Sequence, residues 1–347
     1  MKAVILKAFG GVENLQMADW PKKEPKAGEV GIRIMATAFN PADYKMRQGI
    51  RGESLPTVLG FDLAGIIETV GPGVTDLSTG DEVYAYLGGP KSNGSYAEYT
   101  CVSSHFVARK PANLSFLQAA AIPLTSLTAY QCVMDKARVQ PGEAVFVAGG
   151  SGGVGSMAIK LARHAGANPI FTTAGSDQEE KYLTQILGIP ANHLLSYPGL
   201  TLQQLIDAVL AMNGGKLLPA TFDFVGGDMK RLCCQVIDFD GRVVSILPES
   251  ENFIYNIWER GHVISSRSAS VHFEFLGGRA SFSVPDTWGI YRQELDILRG
   301  LIENGHIQPP QITVVGGFSA ETVRRAHLLL EAHQVQGKLV MSVGGKV

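Results

Sequence analysis

The strongest constraint on this chain is the stretch Ala144-Val-Phe-Val-Ala-Gly-Gly-Ser-Gly-Gly-Val-Gly-Ser-Met-Ala-Ile-Lys-Leu161, in which Gly150, Gly152 and Gly155 fit G-x-G-x-x-G. Ala144 to Val147 read as a buried strand, the glycines as a turn free of Cβ clashes, and Ser156 to Ala165 as a helix by their apolar spacing. A helix opening on such a turn presents free backbone amides to a diphosphate, so Gly150, Gly152, Gly153, Val154 and Gly155 are expected to bind a dinucleotide. Glycine-rich turns also close ordinary loops. Here Asn168 to Thr173 begins a second strand at the distance a βαβ unit requires, which favours the dinucleotide.

At 347 residues the chain is long for one core, and two domains are expected. Apolar residues make up 45% and charged residues 18%, the balance of a well-buried globular protein. A net charge of −2 gives no electrostatic reason for nucleic acid or an anionic membrane as partner. Met1 to Lys7 is too short an apolar run for a signal peptide, and no segment approaches about 20 continuous apolar residues. A soluble cytoplasmic protein is expected. Cys101, Cys132, Cys233 and Cys234 form no C-x-x-C pair, so neither a disulfide framework nor a zinc ribbon is indicated, and Cys233-Cys234 read as packed thiols. None of the eight histidines falls in a triad or metal-pair setting, which disfavours hydrolase chemistry, and His327 and His333 read as surface residues of one amphipathic helix.

Up to about residue 110, short β-rich runs (Lys2 to Lys7, Glu29 to Ala38, Leu63 to Val70, Asp81 to Leu87, Ser95 to Val102) alternate with Gly, Pro and Asn turns, the pattern of a mostly antiparallel barrel or sandwich. Leu117 to Ala137 is a helical pattern broken at Pro123. Six strands then alternate with helices: Ala144 to Val147, Ile170 to Thr173, His193 to Tyr197, Ala220 to Val225, Arg242 to Leu247 and Val271 to Leu276. That grammar predicts a doubly wound parallel sheet. Two more amphipathic helices, Tyr291 to Asn304 and Val323 to His333, precede a closing strand from Lys338 to Val343. This tail is too small to fold alone and is expected to complete the first domain. A substrate would then meet the cofactor in a cleft between the domains.

Taken together, Gly28-Glu-Val30, Asn40-Pro-Ala-Asp-Tyr-Lys-Met-Arg-Gln-Gly49, Leu59-Gly-Phe-Asp-Leu-Ala-Gly65, Val70-Gly-Pro-Gly73, Gly80-Asp-Glu-Val83, Gly94-Ser-Tyr-Ala-Glu-Tyr99, Ala119-Ala-Ala-Ile-Pro123, Leu127-Thr-Ala-Tyr130, the glycine turn and Gly337-Lys-Leu-Val340 carry a resemblance in their order and spacing. The chain resembles the medium-chain dehydrogenase/reductase superfamily, and within it the zinc-independent quinone oxidoreductase and enoyl-reductase-like branch. That resemblance implies an α/β protein with a GroES-like β-barrel catalytic domain over residues 1–122, completed by 284–347, and a Rossmann domain with a doubly wound, six-stranded parallel sheet over 123–283. It also implies a homodimer formed by sheet extension at Val271 to Leu276.

Departures from the zinc-dependent members bear on the chemistry. Those enzymes carry Cys in the first motif and Gly-His-Glu in the second, whereas Asn40 stands near the first ligand position here and Phe61-Asp62 replaces His-Glu. The segment after Val83 lacks the four cysteines of the structural zinc lobe. Without a Lewis acid, simple alcohol oxidation is disfavoured, and hydride delivery to an electrophilic acceptor such as a quinone or enone remains. The resemblance accordingly implies reduction of quinones, alkenals or enones with NADPH.

The second strand of the βαβ unit ends Thr172-Thr-Ala-Gly-Ser176, with no carboxylate at the tip to hold the ribose hydroxyls of NAD. Thr173 lies on that strand, Ser176 offers a hydroxyl, and Lys181 offers a positive charge to a 2′-phosphate, so NADP(H) is expected. Asp177, Glu179 and Glu180 either repel that phosphate or complement the helix N-terminus. Tyr197 ends the third strand where relatives place an aromatic residue by the adenosine phosphate. Val225 and Gly226, with Ser245 and Leu247, lie in strand-end loops that the resemblance puts beside the nicotinamide, and Lys338 is placed on the cofactor side by its motif.

For chemistry, Asn40 is expected to donate to a carbonyl or fix the nicotinamide ribose, and it can cap the helix that starts at Pro41 as well, through backbone and side chain. Lys45 would supply a proton or hydrogen bond to an enolate, or hold a cofactor phosphate, or be solvated. Tyr44 is expected to pack. Thr128 would meet the carboxamide or the substrate, or bond to its own helix backbone. A salt bridge is expected for Asp62, with Arg47 as the candidate base. The acceptor pocket is placed around Tyr86, Trp258 and Phe275. Two rivals stay open: an enoyl-thioester reductase, and a non-catalytic family member that binds NADPH without turnover.

Overall fold

A computed structural model describes residues 1–50, 54–88, 93–248 and 263–344. Along the chain the elements are β1 (Lys2–Leu6), β2 (Leu15–Asp19), β3 (Glu29–Ala38), α1 (Pro41–Arg47), β4 (Thr57–Val58), β5 (Asp62–Val70), β6 (Glu82–Tyr86), β7 (Tyr99–Ser103), β8 (Val107–Arg109), α2 (Phe116–Ala120) and α3 (Pro123–Tyr130). They continue as β9 (Val145–Ala148), α4 (Gly153–His164), β10 (Ile170–Ala174), α5 (Asp177–Lys181), β11 (Leu194–Ser196), α6 (Leu202–Met212), β12 (Leu218–Asp223), α7 (Asp228–Gln235) and β13 (Ile237–Ser245). The remainder is α8 (Val263–Ser266), β14 (Ser270–Phe273), α9 (Gly277–Phe282), α10 (Gly289–Glu303), β15 (Ile312–Gly317), α11 (Ala320–Glu331) and β16 (Lys338–Ser342). Two compact units result: Met1–Leu127 with Leu276–Val347, and Thr128–Phe275.

In the first unit a sheet runs β15-β16-β3-β5-β6-β8, with β7 also on β3, beside a smaller sheet β2-β1-β4. All its pairings are antiparallel except β15 with β16. The ten residues of β3 are long enough to pair with β16, β5 and β7, and the strand is buried along most of its length. The tail thus completes the first unit, with Met341 and Leu339 of β16 in one core with Val4, Leu6, Leu15 and Phe39.

The second unit is a six-stranded parallel sheet among the described residues, ordered β11-β10-β9-β12-β13-β14. Its strands β9 and β10 are wholly buried, as expected of a parallel sheet covered on both faces, and the only polar side chains on them are the hydroxyls of Thr172 and Thr173. The order reverses direction at β9, so the turn after β9 sits where a doubly wound sheet binds its ligand. The architecture is mixed α/β, a GroES-like antiparallel domain and a Rossmann sheet.

Candidate functional site

The glycine turn is shaped by three separate requirements. Gly149 has φ +81°, a conformation that favours glycine. A Cβ on Gly150 would fall 2.3 Å from Thr172 Oγ1, and one on Gly155 would fall 2.1 Å from the Gly149 carbonyl oxygen, so strand and helix could not close. At Gly152, by contrast, a Cβ would meet nothing nearer than Gly149 O at 3.5 Å, so the apoprotein fold does not require glycine there. Gly152 precedes α4, whose first-turn amides, Gly153, Val154 and Gly155, have no acceptor within the helix. Such a turn fits a diphosphate.

Around it, Thr173 is buried and its Oγ1 accepts from the Gly149 amide at 3.4 Å. Ser176 caps α5, its Oγ accepting from Glu179 N, while Glu179 Oε2 turns back to accept from Gly175 N at 2.7 Å. Lys181 is exposed at the end of α5. Tyr197 packs against the same tip, where a Cβ on Gly175 would lie 2.5 Å from its hydroxyl. Burial raises that hydroxyl's pKa, assisted by the charge of Glu179. Ser176, Tyr197, Gly175 and Glu179 therefore form one cluster after β10.

On the other side of β9, Val225 and Gly226 follow β12, and Ser245 ends β13. Both turns converge on Asp223. Its Oδ1 accepts from the Val225 and Gly226 amides at 3.1 and 2.7 Å, and its Oδ2 accepts from Ser245 Oγ at 2.7 Å. The Leu247 amide in turn donates to Ser245 Oγ at 3.3 Å. Sequence reasoning passed over Asp223, although an aspartate two residues before the turn Val225-Gly-Gly227 is a turn-forming signal.

In the first unit Asn40 is fully buried at the start of α1. Asn40 caps that helix, and its side chain also reaches beyond it: Nδ2 donates to Asp62 Oδ2 at 2.9 Å, and Oδ1 accepts from Lys338 Nζ. Asp43 completes the capping box, its Oδ2 accepting from Asn40 N at 2.8 Å. Lys338 Nζ also donates to Phe39 O at 3.1 Å and to Asp62 Oδ2 at 3.3 Å, which occupies its three hydrogens. Lys338, expected on the cofactor side, is 2% exposed. Asp62 was expected to pair with Arg47 and pairs with Lys338, while its Oδ1 accepts from Leu124 N at 2.8 Å. Burial pushes the Asp62 carboxyl up and the Lys338 amine down, and their mutual attraction opposes both shifts.

Arg47 goes elsewhere, to Gly10 O, Glu331 and His327. His327 is consequently not a surface residue: it is fully buried, with Nδ1 accepting from Arg47 Nε and Nε2 3.3 Å from the Tyr96 hydroxyl. Burial, then the Arg47 charge, lowers its pKa to about 3. Asp43 moves the opposite way, to about 7, chiefly through burial and with Asp62 adding to the rise. His333 is exposed, as expected.

Lys45 is half-buried on α1, and the bonds that orient Asn40 come from Lys338 rather than from it. Tyr44 packs on the core of its unit, and Thr128 is buried on α3. Phe61 stacks on Tyr86 at 6.2 Å, an apolar wall beside Asp62. Phe275 is 48% exposed, and Trp258 lies outside the described residues.

Phe61 offers a zinc ion no donor, and Asp62 beside it is already paired to the Lys338 ammonium. Among the described residues no group of three or more His, Cys, Asp and Glu is placed to hold a metal. Nor is any described helix long and apolar enough to cross a membrane.

Residues 26–112 match the alcohol dehydrogenase GroES-like domain, and residues 153–257 match the zinc-binding dehydrogenase domain. A zinc-type alcohol dehydrogenase-like protein of Staphylococcus aureus is 31% identical over 328 residues, covering 93% of each chain. The chloroplastic NADPH-dependent alkenal/one oxidoreductase of Arabidopsis thaliana is 37% identical over 256 residues, 71% of this chain and 62% of that protein. The structure of the quinone oxidoreductase from Coxiella burnetii superposes with a TM-score of 0.80 at 29% identity, covering 99% of both chains. With both domain models matched in order and a relative similar along nearly its whole length, the chain belongs to the medium-chain dehydrogenase/reductase superfamily and is an oxidoreductase.

Proposed function

We propose that this protein is a zinc-free, NADPH-dependent reductase of quinones or α,β-unsaturated carbonyls. The observation that supports the reading is the buried Asn40–Asp62–Lys338 cluster, in which an amide, a carboxylate and an ammonium are bonded to one another. Bound NADPH supplies the hydride. The chain's residues would stabilise the charge that moves to the acceptor oxygen once a quinone ring or an enone β-carbon is reduced. Asn40 is suited to this because Asp62 takes one of its two amide hydrogens and Lys338 fixes its orientation, leaving the second hydrogen for an oxygen of the ligand. Lys45 or water would then return a proton to the enolate carbon.

For the cofactor, the glycine turn would hold the diphosphate, and Ser176 and Lys181 the 2′-phosphate. Glu179 does not count against this, since its carboxylate is turned back onto Gly175 N. Thr128 is assigned to the carboxamide. We also extend the reading to a homodimer formed along β14, the edge strand among the described residues, expected as a species of twice the 37.2 kDa chain mass in light scattering.

The test is NADPH oxidation with a 1,4-quinone, an alkenal, an enoyl-CoA and a simple aldehyde, alongside metal analysis. Turnover of the quinone or alkenal without zinc is expected, and aldehyde turnover accompanied by bound zinc would sink the reading. Lys181→Ala should weaken NADPH about tenfold while leaving NADH unchanged, as expected for one lost charge-assisted contact.

A further inference from the structure

In the second unit the diphosphate turn follows β9, and the adenosine-side cluster of Ser176 and Tyr197 lies over β10 on one side of it. A dinucleotide laid across that point must carry its other half over β12 and β13, on the opposite side. The two turns there are held from beneath by one buried ion pair. Asp223 is fully buried and in register with Ser245 on the neighbouring strand. Lys230, 1% exposed on α7, places Nζ 3.7 Å from Asp223 Oδ2 and donates to Leu247 O at 2.8 Å. The same ammonium lies 5.7 Å from the Phe273 ring on β14. Asp223 thus ties the amides of Val225 and Gly226 to Ser245, and Lys230 ties that carboxylate to Leu247. Gly226 and Gly227, at φ +88° and +56°, give the first turn a shape its own backbone would not hold unaided.

We infer that the buried Asp223–Lys230 pair is a positioning device that sets the turns after β12 and β13 in the form that receives the nicotinamide half of the cofactor. The inference rests on the dinucleotide reading above. Neither residue touches the ligand; they act through the amides of Val225 and Gly226 and the backbone of Leu247.

The test is calorimetric titration of the full chain with NADPH and with 2′,5′-ADP, a fragment that lacks the nicotinamide. The unaltered protein should bind both, and binding of neither overturns the dinucleotide reading itself. Asp223→Ala should weaken NADPH by about ten- to a hundredfold, the range seen when supporting hydrogen bonds are removed, and leave 2′,5′-ADP unchanged. Equal weakening of both ligands would mark Asp223 as merely structural, and unchanged NADPH affinity would leave it no role; either overturns the inference. Should Asp223→Ala fail to fold, Ser245→Ala removes only the hydroxyl joining the turns. It should weaken NADPH about three- to tenfold, the worth of one hydrogen bond, again sparing 2′,5′-ADP; unchanged affinity for NADPH overturns the inference.

Discussion

His327 and Asp43 lie in one buried network of the first unit, with the Tyr96 hydroxyl beside both. The folded histidine titrates at about 3 rather than 6.5, so the stability it contributes is present above pH 6.5 and is lost as pH falls towards 3. The folded Asp43 carboxyl, faced by Asp62, Tyr96 and Lys338, titrates at about 7 rather than 3.8, so its contribution is present below pH 3.8 and is lost as pH rises towards 7. Between about pH 4 and 6.5 the two slopes cancel. His327→Asn should therefore uncover a loss of up to about 1.4 kcal/mol per pH unit over that range, read from urea midpoints at stepped pH. A variant whose slope matches the parent protein's would show that Asp43 does not hold a proton. None of this was visible along the chain, where His327 sits on an amphipathic helix with its partner Arg47 280 residues away.

At the level of elements, strands with strict alternation or uniform apolarity were legible, as were β9, α4 and β10 around the glycines. β15 was not, because its Ile-Thr-Val-Val-Gly-Gly sequence lies half-exposed and bulges between Val314 and Gly316. β2 and β8 were missed too, the first with only one of its five residues buried and the second only three residues long. The expected strand to Leu276 ends at Phe273, since Leu276 already begins the turn into α9. Asp62 shows what spacing does convey and what it does not: its loss of the zinc motif was readable, but its partner Lys338 is 276 residues distant. The glycines yield a prediction of their own. Gly155→Ala should cost about 1–3 kcal/mol through overpacking against the Gly149 carbonyl. Gly152→Ala should leave the melting temperature nearly unchanged, yet weaken NADPH if the diphosphate lies against that backbone. Equal affinity by titration would place the diphosphate elsewhere.

The molecule is built unequally: the unit Thr128–Phe275 is one continuous segment, whereas the other unit is assembled from both ends of the chain. β16 lies between β15 and β3, and Val340 pairs with Ala38 across most of the sequence. Contacts of such separation form late. Ending the chain after Gly337 should abolish the cooperative transition of the first unit and leave that of the second, with limited proteolysis yielding a core near residues 128–275. Survival of both transitions would show β16 to be dispensable. The position of Lys338 reaches into synthesis as well. A ribosome that stalls before codon 338 releases a chain whose unit Thr128–Phe275 can be whole while Asn40 lacks the lysine that orients it. On the proposed reading, such a fragment would hold reduced dinucleotide without passing its electrons on.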